Sequence, residues 1–244
     1  MMLNGKTVVI AGATGGIGDP ISRILHERGA NLVLFARTEE KLRALENSLG
    51  GSRTRIVVGD ACDADKVTEA LETARSAFGS IHSVVITVGT WGRLSLKETV
   101  NEAEESFDHL YKAILKPTEV MGFGAIKALD EQKAGGTLFH LSSHAAVRAA
   151  LPGNLSYGPL KKAAEDFFTR AIEELGSRHV RIVHIRPAIV NTPDLQKMLA
   201  GDPDKEKKLQ MAVQPETIGK WIADHLSDLE LLESIPFNSE LVLD

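Results

Sequence analysis

Residues 7–18 have the sequence TVVIAGATGGIG, and this stretch decides the fold. Its first five residues, Thr7–Ala11, are β-branched or apolar, which is typical of a strand buried on both faces. A glycine-rich turn follows, and apolar residues then recur at the spacing of a helix. A helix that begins beside such a turn presents unpaired N–H groups and the positive end of its dipole. The stretch therefore predicts a strand–turn–helix unit that binds an anion such as a pyrophosphate.

The spacing of the glycines limits which kinds of phosphate-binding loop this turn can be. Gly12, Gly16 and Gly18 form the pattern G-x-x-x-G-x-G, which differs from the commonest dinucleotide pattern, G-x-G-x-x-G. No Gly-Lys-Ser/Thr closes the loop, and this disfavours a Walker-type site. A glycine-rich turn without a ligand is the alternative. The strand before the turn and the helix after it favour a dinucleotide.

Short apolar runs alternate with longer amphipathic segments along the chain. This order predicts an α/β fold: a single-domain, Rossmann-type, doubly wound parallel sheet of about seven strands, with helices on both faces. The predicted strands are rich in Val and Ile: Thr7–Ala11, Leu32–Ala36, Arg55–Val58, Ser83–Val88, Thr137–Leu141, Val180–Ile185 and Leu241–Leu243. The predicted helices between them include Glu39–Leu49, Asp65–Phe78, Glu102–Leu129 and Leu160–Leu175.

The composition disfavours several classes of protein. The 244 residues carry a net charge of -5 and contain no run of basic residues, so a nucleic-acid partner is not expected. Cys62 is the only cysteine, which rules out an intrachain disulfide and favours a reducing compartment. The amino terminus lacks the apolar region of a signal peptide, and no apolar stretch approaches the length of a membrane span. We expect a cytoplasmic protein with no membrane contact and no metal site.

The end of the second predicted strand indicates which dinucleotide is bound. An acidic residue at this point would accept a hydrogen bond from a ribose 2′-hydroxyl and would repel a 2′-phosphate. The sequence has Ala36, Arg37 and Thr38 instead, and a guanidinium suits a phosphate. These residues predict NADP(H) rather than NAD(H). A solvated arginine at the start of a helix is the alternative.

A tyrosine and a lysine lie four residues apart at the start of a long helical segment. Tyr157 and Lys161 would share one face of that helix, because residues i and i+4 are neighbours. An ammonium beside a phenol favours the phenolate, which suits the phenol to proton transfer near neutral pH. Tyr-x-x-x-Lys alone recurs by chance. Its significance comes from its position after the fifth strand, behind Ser142 and Ser143.

Taken in order, these motifs resemble the classical short-chain dehydrogenase/reductase family over nearly the whole chain. Ala11–Gly18 resembles the family's T-G-x-x-x-G-I-G, with alanine in place of threonine, and Thr87-Val88-Gly89 lies where the family has N-A-G. Asp60-Ala61 resembles the acidic position that holds the adenine amino group. Pro187–Thr192 resembles the P-G-x-x-x-T segment near the nicotinamide.

The resemblance implies an oxidoreductase that transfers hydride between NADP(H) and a small-molecule carbonyl or alcohol. Tyr157 would exchange the proton, Lys161 would hold the ribose and lower the pKa of Tyr157, and a serine would orient the substrate oxygen. A homodimer or homotetramer through helices 102–129 and 160–175 is also implied. The implied cofactor residues are Gly12, Thr14, Gly15, Gly16, Ile17, Gly18, Arg37, Thr38, Asp60, Ala61, Val88, Gly89, Tyr157, Lys161, Pro187, Ile189 and Thr192.

Several positions depart from the family pattern. Ile86 and Ile114 stand where the family has asparagines, and the second of these asparagines anchors a water beside the catalytic lysine. Ile114 cannot hold that water, so we expect the proton relay to solvent to be impaired. The family's catalytic serine aligns with His144. We interpret this as a one-residue insertion, which favours Ser143 over Ser142.

The sequences of the loops beyond the strand ends do not identify the substrate. Residues 90–97, 144–154 and 193–213 would surround it, and their apolar side chains favour an apolar carbonyl or alcohol. Residues 193–213 contain Gly201 and Pro203, and we interpret them as a mobile substrate lid within one domain, residues 1–244.

Two alternatives to an active reductase stay open. The first is a cofactor-binding protein with little turnover, acting as a redox sensor or regulatory partner, which the loss of two family asparagines favours. The second is a nucleotide-sugar epimerase built on the same first half. We expect too little chain at the carboxyl end for the larger substrate region of that group.

Overall fold

The computed structural model describes residues 2–132, 134–148, 153–176, 179–227 and 238–243. Within these residues, seven strands form one parallel sheet in the order β3-β2-β1-β4-β5-β6-β7. The strands are β1 (Thr7–Ala11), β2 (Asn31–Ala36), β3 (Thr54–Val58), β4 (Ser83–Ile86), β5 (Gly136–Leu141), β6 (Val180–Pro187) and β7 (Asn238–Leu243).

Helices connect the strands. They are α1 (Gly18–Glu27), α2 (Glu39–Leu49), α3 (Ala64–Phe78), α4 (Val100–Leu110), α5 (Lys116–Glu131), α6 (Tyr157–Leu175), α7 (Pro193–Met198), α8 (Lys205–Gln210) and α9 (Pro215–Ser227). None of the helices in the described residues is both long and apolar enough to cross a membrane.

The sheet confirms the predicted Rossmann-type α/β fold, with a core on each face. In β1, Val9 and Ala11 join the core covered by α3, α5 and α6, whereas Val8 and Ile10 join the core covered by α1, α2 and α9. A strand covered on both faces has apolar residues at consecutive positions, which explains the run that predicted it. Only β1 has both of its predicted bounds; the largest differences are that β4 ends at Ile86, β6 ends at Pro187 and β7 begins at Asn238.

The strand order reverses beside β1, and this reversal positions the site. The chain adds β2 and β3 on one side of β1, and then returns to add β4 on the other side. The connections that leave the carboxyl ends of β1 and β4 therefore depart in opposite directions, and a crevice opens between them. The glycine-rich turn after β1 lies at this crevice.

The turn between β1 and α1 is so tight that two of its positions require glycine. Gly12 has a φ of 84°, in the left-handed region that favours glycine. A Cβ on Gly18 would overlap the carbonyl oxygen of Gly12. The absence of both side chains lets the backbone of α1 begin directly against the end of β1.

The predicted helix over residues 102–129 is wrong in one respect, because it is not continuous. A π-helical turn, Tyr111–Leu115, separates α4 from α5, and the N–H of Lys116 donates to the carbonyl oxygen of Tyr111. Pro117 provides the physical reason. Its ring has no N–H and clashes with the carbonyl group four residues earlier, so the chain cannot keep the α-helical spacing there.

Candidate active site

A cavity of about 450 Å³ opens at the carboxyl ends of β1, β2 and β4. It brings together the predicted cofactor residues Gly12, Thr14, Gly15, Arg37, Thr38, Asp60, Ala61, Val88 and Gly89. Its wall also contains side chains that the sequence did not indicate, and among these are Phe35, Lys41, His109, Lys112, Pro117 and Asp194. The cavity therefore joins six separate stretches of sequence at the edge of the sheet.

Two cations line this cavity at the start of α2. Arg37 and Lys41 are exposed, and within the described part of the chain neither forms an ion pair. Arg43, on the same helix, is instead paired with Glu39 at 2.6 Å. No carboxylate stands at position 36. The wall is thus suited to a phosphate at this point.

Thr87 fixes the end of β4 to the glycine-rich turn. Its Oγ1 donates to the carbonyl oxygen of Ala11 at 2.8 Å, and Oγ1 lies 3.2 Å from the carbonyl oxygen of Gly12. The backbone N–H of Thr87 also donates to Ala11 at 2.9 Å. This threonine holds two strand ends together at a position where the family resemblance predicts an asparagine.

Asp60 organises the turn after β3. Its Oδ1 accepts a hydrogen bond from the backbone N–H of Cys62 at 2.8 Å. Burial, assisted by Asp60, raises the pKa of the Cys62 thiol to about 11. Cys62 is therefore a protonated and weakly nucleophilic thiol at neutral pH.

A second group of predicted cofactor residues lies on the other side of the turn after β1. A Cβ on Gly16 would lie 2.9 Å from the Cβ of Thr192, so these two residues abut. Ile17 and Gly18 begin α1 beside them. The hydroxyl of Thr192 accepts a hydrogen bond from the N–H of Leu195 at 3.2 Å and caps α7.

The chain enters and leaves the predicted lid at one place. Val190 forms a bridge with Val213, and the N–H of Val213 donates to the carbonyl oxygen of Ile189 at 2.8 Å. Helices α7 and α8 lie between these contacts. Of the other predicted substrate loops, residues 149–152 lie outside the described residues.

Ser143, Tyr157 and Lys161 converge at the ends of β5 and α6. The Ser143 hydroxyl acts on the Tyr157 phenol and lowers its pKa, and Ser143 Oγ accepts from the N–H of Ala145 at 3.1 Å. The Nζ atom of Lys161 donates to the carbonyl oxygen of Leu141 at 2.7 Å. A Cβ on Gly89 would lie 3.4 Å from that Nζ. Gly89 thus connects the cavity to the three converging side chains.

Burial controls the protonation of both titratable groups. It lowers the pKa of Lys161 to about 8, although the charge of Glu165 acts in the opposite direction. It also raises the pKa of Tyr157, against the hydrogen bond from Ser143, which lowers it. The expectation that Lys161 lowers the pKa of Tyr157 is therefore wrong for this structure, because desolvation of the phenolate dominates.

The two serines left open by the sequence have different surroundings. Ser142 Oγ donates to Glu165 Oε1 at 2.5 Å inside the protein, whereas Ser143 contacts Tyr157. Glu165 was not among the residues predicted from the sequence. The sequence feature that could have indicated it is an acidic residue four positions after Lys161, between Ala164 and Phe168 on the buried face of a helix.

Ile86 and Ile114, which stand where the family has asparagines, are both buried. Ile86 lies fully buried in β4. Ile114 is fully buried in the π-helical turn, where it packs with Leu110 and Leu160, and Tyr157 packs against this cluster.

In the described residues, no group of three or more His, Cys, Asp or Glu side chains could hold a metal ion.

The sequence matches the family model described as short chain dehydrogenase over residues 6–202. This chain belongs to the short-chain dehydrogenase family. An uncharacterized oxidoreductase of Staphylococcus aureus (strain USA300) is 30% identical over 211 residues, which cover 86% of this chain and 87% of that protein. A relative from Staphylococcus saprophyticus, also described as an uncharacterized oxidoreductase, is 28% identical over 222 residues, covering 89% and 88% of the two chains.

Solved structures share the fold of this short-chain dehydrogenase. L-sorbose reductase from Gluconobacter frateurii, complexed with NADPH and L-sorbose, superposes with a TM-score of 0.82 at 24% identity and covers 100% of this chain and 97% of its own. A short-chain type dehydrogenase/reductase from Mycobacterium ulcerans gives a TM-score of 0.86 at 20% identity, with coverage of 100% and 90%. At these identities the likeness shows the fold alone.

Membership of the family confirms the resemblance found in the sequence. The short-chain dehydrogenases are oxidoreductases that bind a nicotinamide cofactor and act on small molecules, and they usually oligomerise. This dehydrogenase is therefore an enzyme of the oxidoreductase class.

The protonation of Tyr157 can be measured in the dehydrogenase directly, because the chain has only two tyrosines. We predict that Tyr157 ionises above the ordinary tyrosine pKa of about 10, since burial raises its pKa. The difference in near-ultraviolet absorbance between the wild type and Tyr157→Phe, followed against pH, reports Tyr157 alone. Ionisation of this tyrosine well below its ordinary range would contradict the prediction.

Proposed function

We propose that this short-chain dehydrogenase transfers hydride between NADP(H) and a small-molecule carbonyl or alcohol. The observation that carries the proposal is the convergence of Ser143 and Tyr157, with Lys161 one turn later on α6. A phenol, a hydroxyl and an ammonium in this arrangement are equipped to bind a carbonyl oxygen and to exchange a proton with it. Gly89 links this group to a cavity of nucleotide-binding character.

The cavity and its surroundings suit a dinucleotide. The tight turn allows a pyrophosphate to approach the backbone at the start of α1, and the cations at the start of α2 suit a 2′-phosphate. When bound, NADP(H) would supply or accept the hydride. The residues that would hold it are Gly12, Thr14, Gly15, Gly16, Ile17, Gly18, Arg37, Thr38, Asp60, Ala61, Val88, Gly89, Tyr157, Lys161, Pro187, Ile189 and Thr192.

The side chains have distinct roles in this proposal. Tyr157 keeps its proton at neutral pH, because its pKa is raised, and it donates that proton to the substrate oxygen during reduction. Ser143 orients the same oxygen through its hydroxyl. Lys161 is protonated below its pKa of about 8, and it binds the ribose as a cation. In the oxidative direction Tyr157 accepts the proton.

The segment from 193 to 213 would act as a lid over the substrate. It carries the exposed side chains of Met198 and Met211, which favours an apolar carbonyl or alcohol. Asp194, on α7, already lines the nucleotide cavity. The lid would therefore contact cofactor and substrate together.

A homodimer or homotetramer is the assembly we infer. An apolar groove of about 660 Å³ runs between α3 and α5, and Phe123 is 60% exposed at its edge. Val120 and Phe167 also line the groove. Burial of this surface against a second copy would remove apolar area from water.

The cations at the start of α2 lead to a prediction about cofactor preference. NADPH should bind at least about tenfold more tightly than NADH, or about 1.4 kcal/mol, because a 2′-phosphate meets Arg37 and no carboxylate. Arg37→Ala should narrow this gap by weakening NADPH. Fluorescence titration at fixed salt measures both affinities. Arg43→Ala is the matched control, since Arg43 is paired with Glu39, and equal wild-type affinities for the two cofactors would overturn the preference.

The proposed chemistry is tested by removing the phenol. Tyr157→Phe should reduce turnover by about 10²–10⁴-fold and leave the affinity for NADPH within a few-fold, because it deletes the acid and little of the binding surface. Nicotinamide absorbance with a panel of ketones and aldehydes provides the measurement. Tyr111→Phe changes the chain's other tyrosine and should be silent. If Tyr157→Phe retains most of the wild-type turnover, the proposed role of Tyr157 is wrong.

A second candidate function is a cofactor-binding protein with little turnover. The observation that favours it is Ile114, fully buried in the π-helical turn against the cluster that Tyr157 joins. An apolar side chain there cannot anchor a relay water. Restoring the proton on Tyr157 would then be slow, and the protein would turn over slowly.

Replacement of this isoleucine separates the two candidates. If the missing relay limits the rate, Ile114→Asn should raise turnover, at a stability cost of roughly 1–3 kcal/mol for a buried amide that finds no partner. Ile114→Val removes packing without adding a polar group and is the control. Thermal unfolding and steady-state rates are measured on both variants. A folded Ile114→Asn enzyme with unchanged turnover would show that another path already carries the proton.

A further inference from the structure

A buried ionic cluster lies directly behind the proposed active site. The carboxylate of Glu165 accepts from Arg186 Nε at 2.8 Å, from Arg186 Nη2 at 2.7 Å and from Ser142 Oγ at 2.5 Å. Glu165 is 1% exposed, Arg186 is 3% exposed and Ser142 is 5% exposed. A buried bidentate ion pair resists displacement, because breaking it would leave an unpaired charge away from water.

Each member of the cluster lies within one helical turn, in sequence, of a residue of the proposed active site. Ser142 follows the last residue of β5 and precedes Ser143, and Arg186 precedes Pro187 at the end of β6. Glu165 lies one turn after Lys161 on α6. The three segments that carry the proposed chemistry are therefore tied at a single carboxylate.

The end of β5 is held twice by α6. Lys161 Nζ donates to the carbonyl oxygen of Leu141, and Glu165 accepts from the hydroxyl of Ser142. The last residue of the strand and the residue after it are thus bound by two residues one helical turn apart. This double attachment fixes both the position and the rotation of α6 relative to the strand, and so fixes Tyr157 relative to Ser143.

The cluster keeps a negative charge inside the protein. Burial raises the pKa of Glu165, but the hydrogen bonds from Arg186 and Ser142 outweigh it, and the pKa lies below its ordinary value. The carboxylate is therefore ionised at neutral pH. Its charge favours the ammonium form of Lys161, which burial opposes.

We propose that Glu165 is a positioning residue, which holds the segments of Ser143, Lys161 and Pro187 in register and supplies the buried negative charge that keeps Lys161 an ammonium. This inference rests on the proposed function for its effect on turnover. Its effect on Lys161 itself does not depend on turnover.

The charged and titratable groups around Lys161 give the direction of the effect. Tyr157 and Glu165 lie one turn away on α6, Arg186 lies on β6, and His140 lies on β5. Burial holds the pKa of His140 well below its ordinary value, with His184, Lys161 and Arg186 acting in the same direction, so His140 stays neutral near pH 8. Removal of the Glu165 charge leaves two nearby cations, Arg186 and Lys162, whose Nζ lies 3.8 Å from Glu165 Oε2. The loss of the negative charge and the remaining positive charges both disfavour the ammonium form of Lys161.

The decisive variant is Glu165→Gln, compared with Asp166→Asn as the matched control. Asp166 is the next residue on α6, but it is exposed and pairs with Lys162 at 3.0 Å. In Glu165→Gln, the titration of Lys161, followed by NMR of ¹³C-labelled lysine and assigned with Lys161→Arg, should move to lower pH by about one unit or more. The high-pH loss of reductase activity should move in the same direction, and turnover should fall about 10- to 100-fold. Asp166→Asn should leave all three readouts unchanged.

A second substitution separates positioning from charge. Arg186→Lys keeps the cation and loses the planar bidentate contact, so turnover should fall while the titration of Lys161 stays in place. If Glu165→Gln does not fold, Glu165→Gln/Arg186→Met replaces the pair without a stranded charge, and should fold, bind NADPH and turn over slowly. Wild-type turnover in that folded double variant would overturn the positioning role.

The outcomes distinguish this inference from the proposed function. A wild type that binds NADPH but reduces no carbonyl, with a Lys161 titration that still shifts in Glu165→Gln, would refute the proposed function and retain the electrostatic inference. An active wild type whose Lys161 titration does not move in Glu165→Gln would refute the inference and leave the function standing.

Discussion

The carbonyl oxygen of Gly12 occupies the space into which a side chain at Gly18 would project, so α1 can begin only if that side chain is absent. This steric constraint brings the first N–H groups of α1 to the end of β1, at the place where the strand order reverses. Thr87 attaches the end of β4 to the same turn. The position of Gly89, and through it the access from the cavity to Lys161, follows from this attachment. The proposed nucleotide cavity and the proposed chemistry are thus two ends of one rigid arrangement.

Buried charge is the second element of that arrangement. Lys161 loses hydration on burial and gains a carbonyl oxygen and a nearby carboxylate in return. Glu165 in turn requires Arg186 and Ser142. Buried ion pairs seldom add net stability, because desolvation offsets their attraction, but they strongly disfavour any displacement of their partners. We interpret the cluster as a means of holding the proposed catalytic side chains in accurate positions. Hydride and proton transfer to adjacent atoms requires this accuracy.

Local patterns in the sequence predicted most of the fold and much of the candidate site. The buried strands, the glycine-rich turn, Arg37 and the Tyr157–Lys161 pair each carry their signal within a few residues, and the structure gathers them at one edge of the sheet. Features that arise between distant segments were not predicted. Glu165 meets Arg186 across 21 positions, and its partner is visible only when β6 lies beside α6. The direction of the Tyr157 pKa was also missed, because desolvation depends on packing that no local motif specifies.

The central claim is that the glycine-rich cavity and Tyr157 serve the same ligand. The most direct test is an NMR measurement of magnetisation transfer from the nicotinamide protons of bound NADPH to tyrosine ring protons in otherwise deuterated protein. With only two tyrosines in the chain, Tyr111→Phe assigns the signals unambiguously. We predict transfer to Tyr157, because the proton and the hydride must reach adjacent atoms of one substrate. Tight binding of NADPH with no transfer to Tyr157 would contradict it.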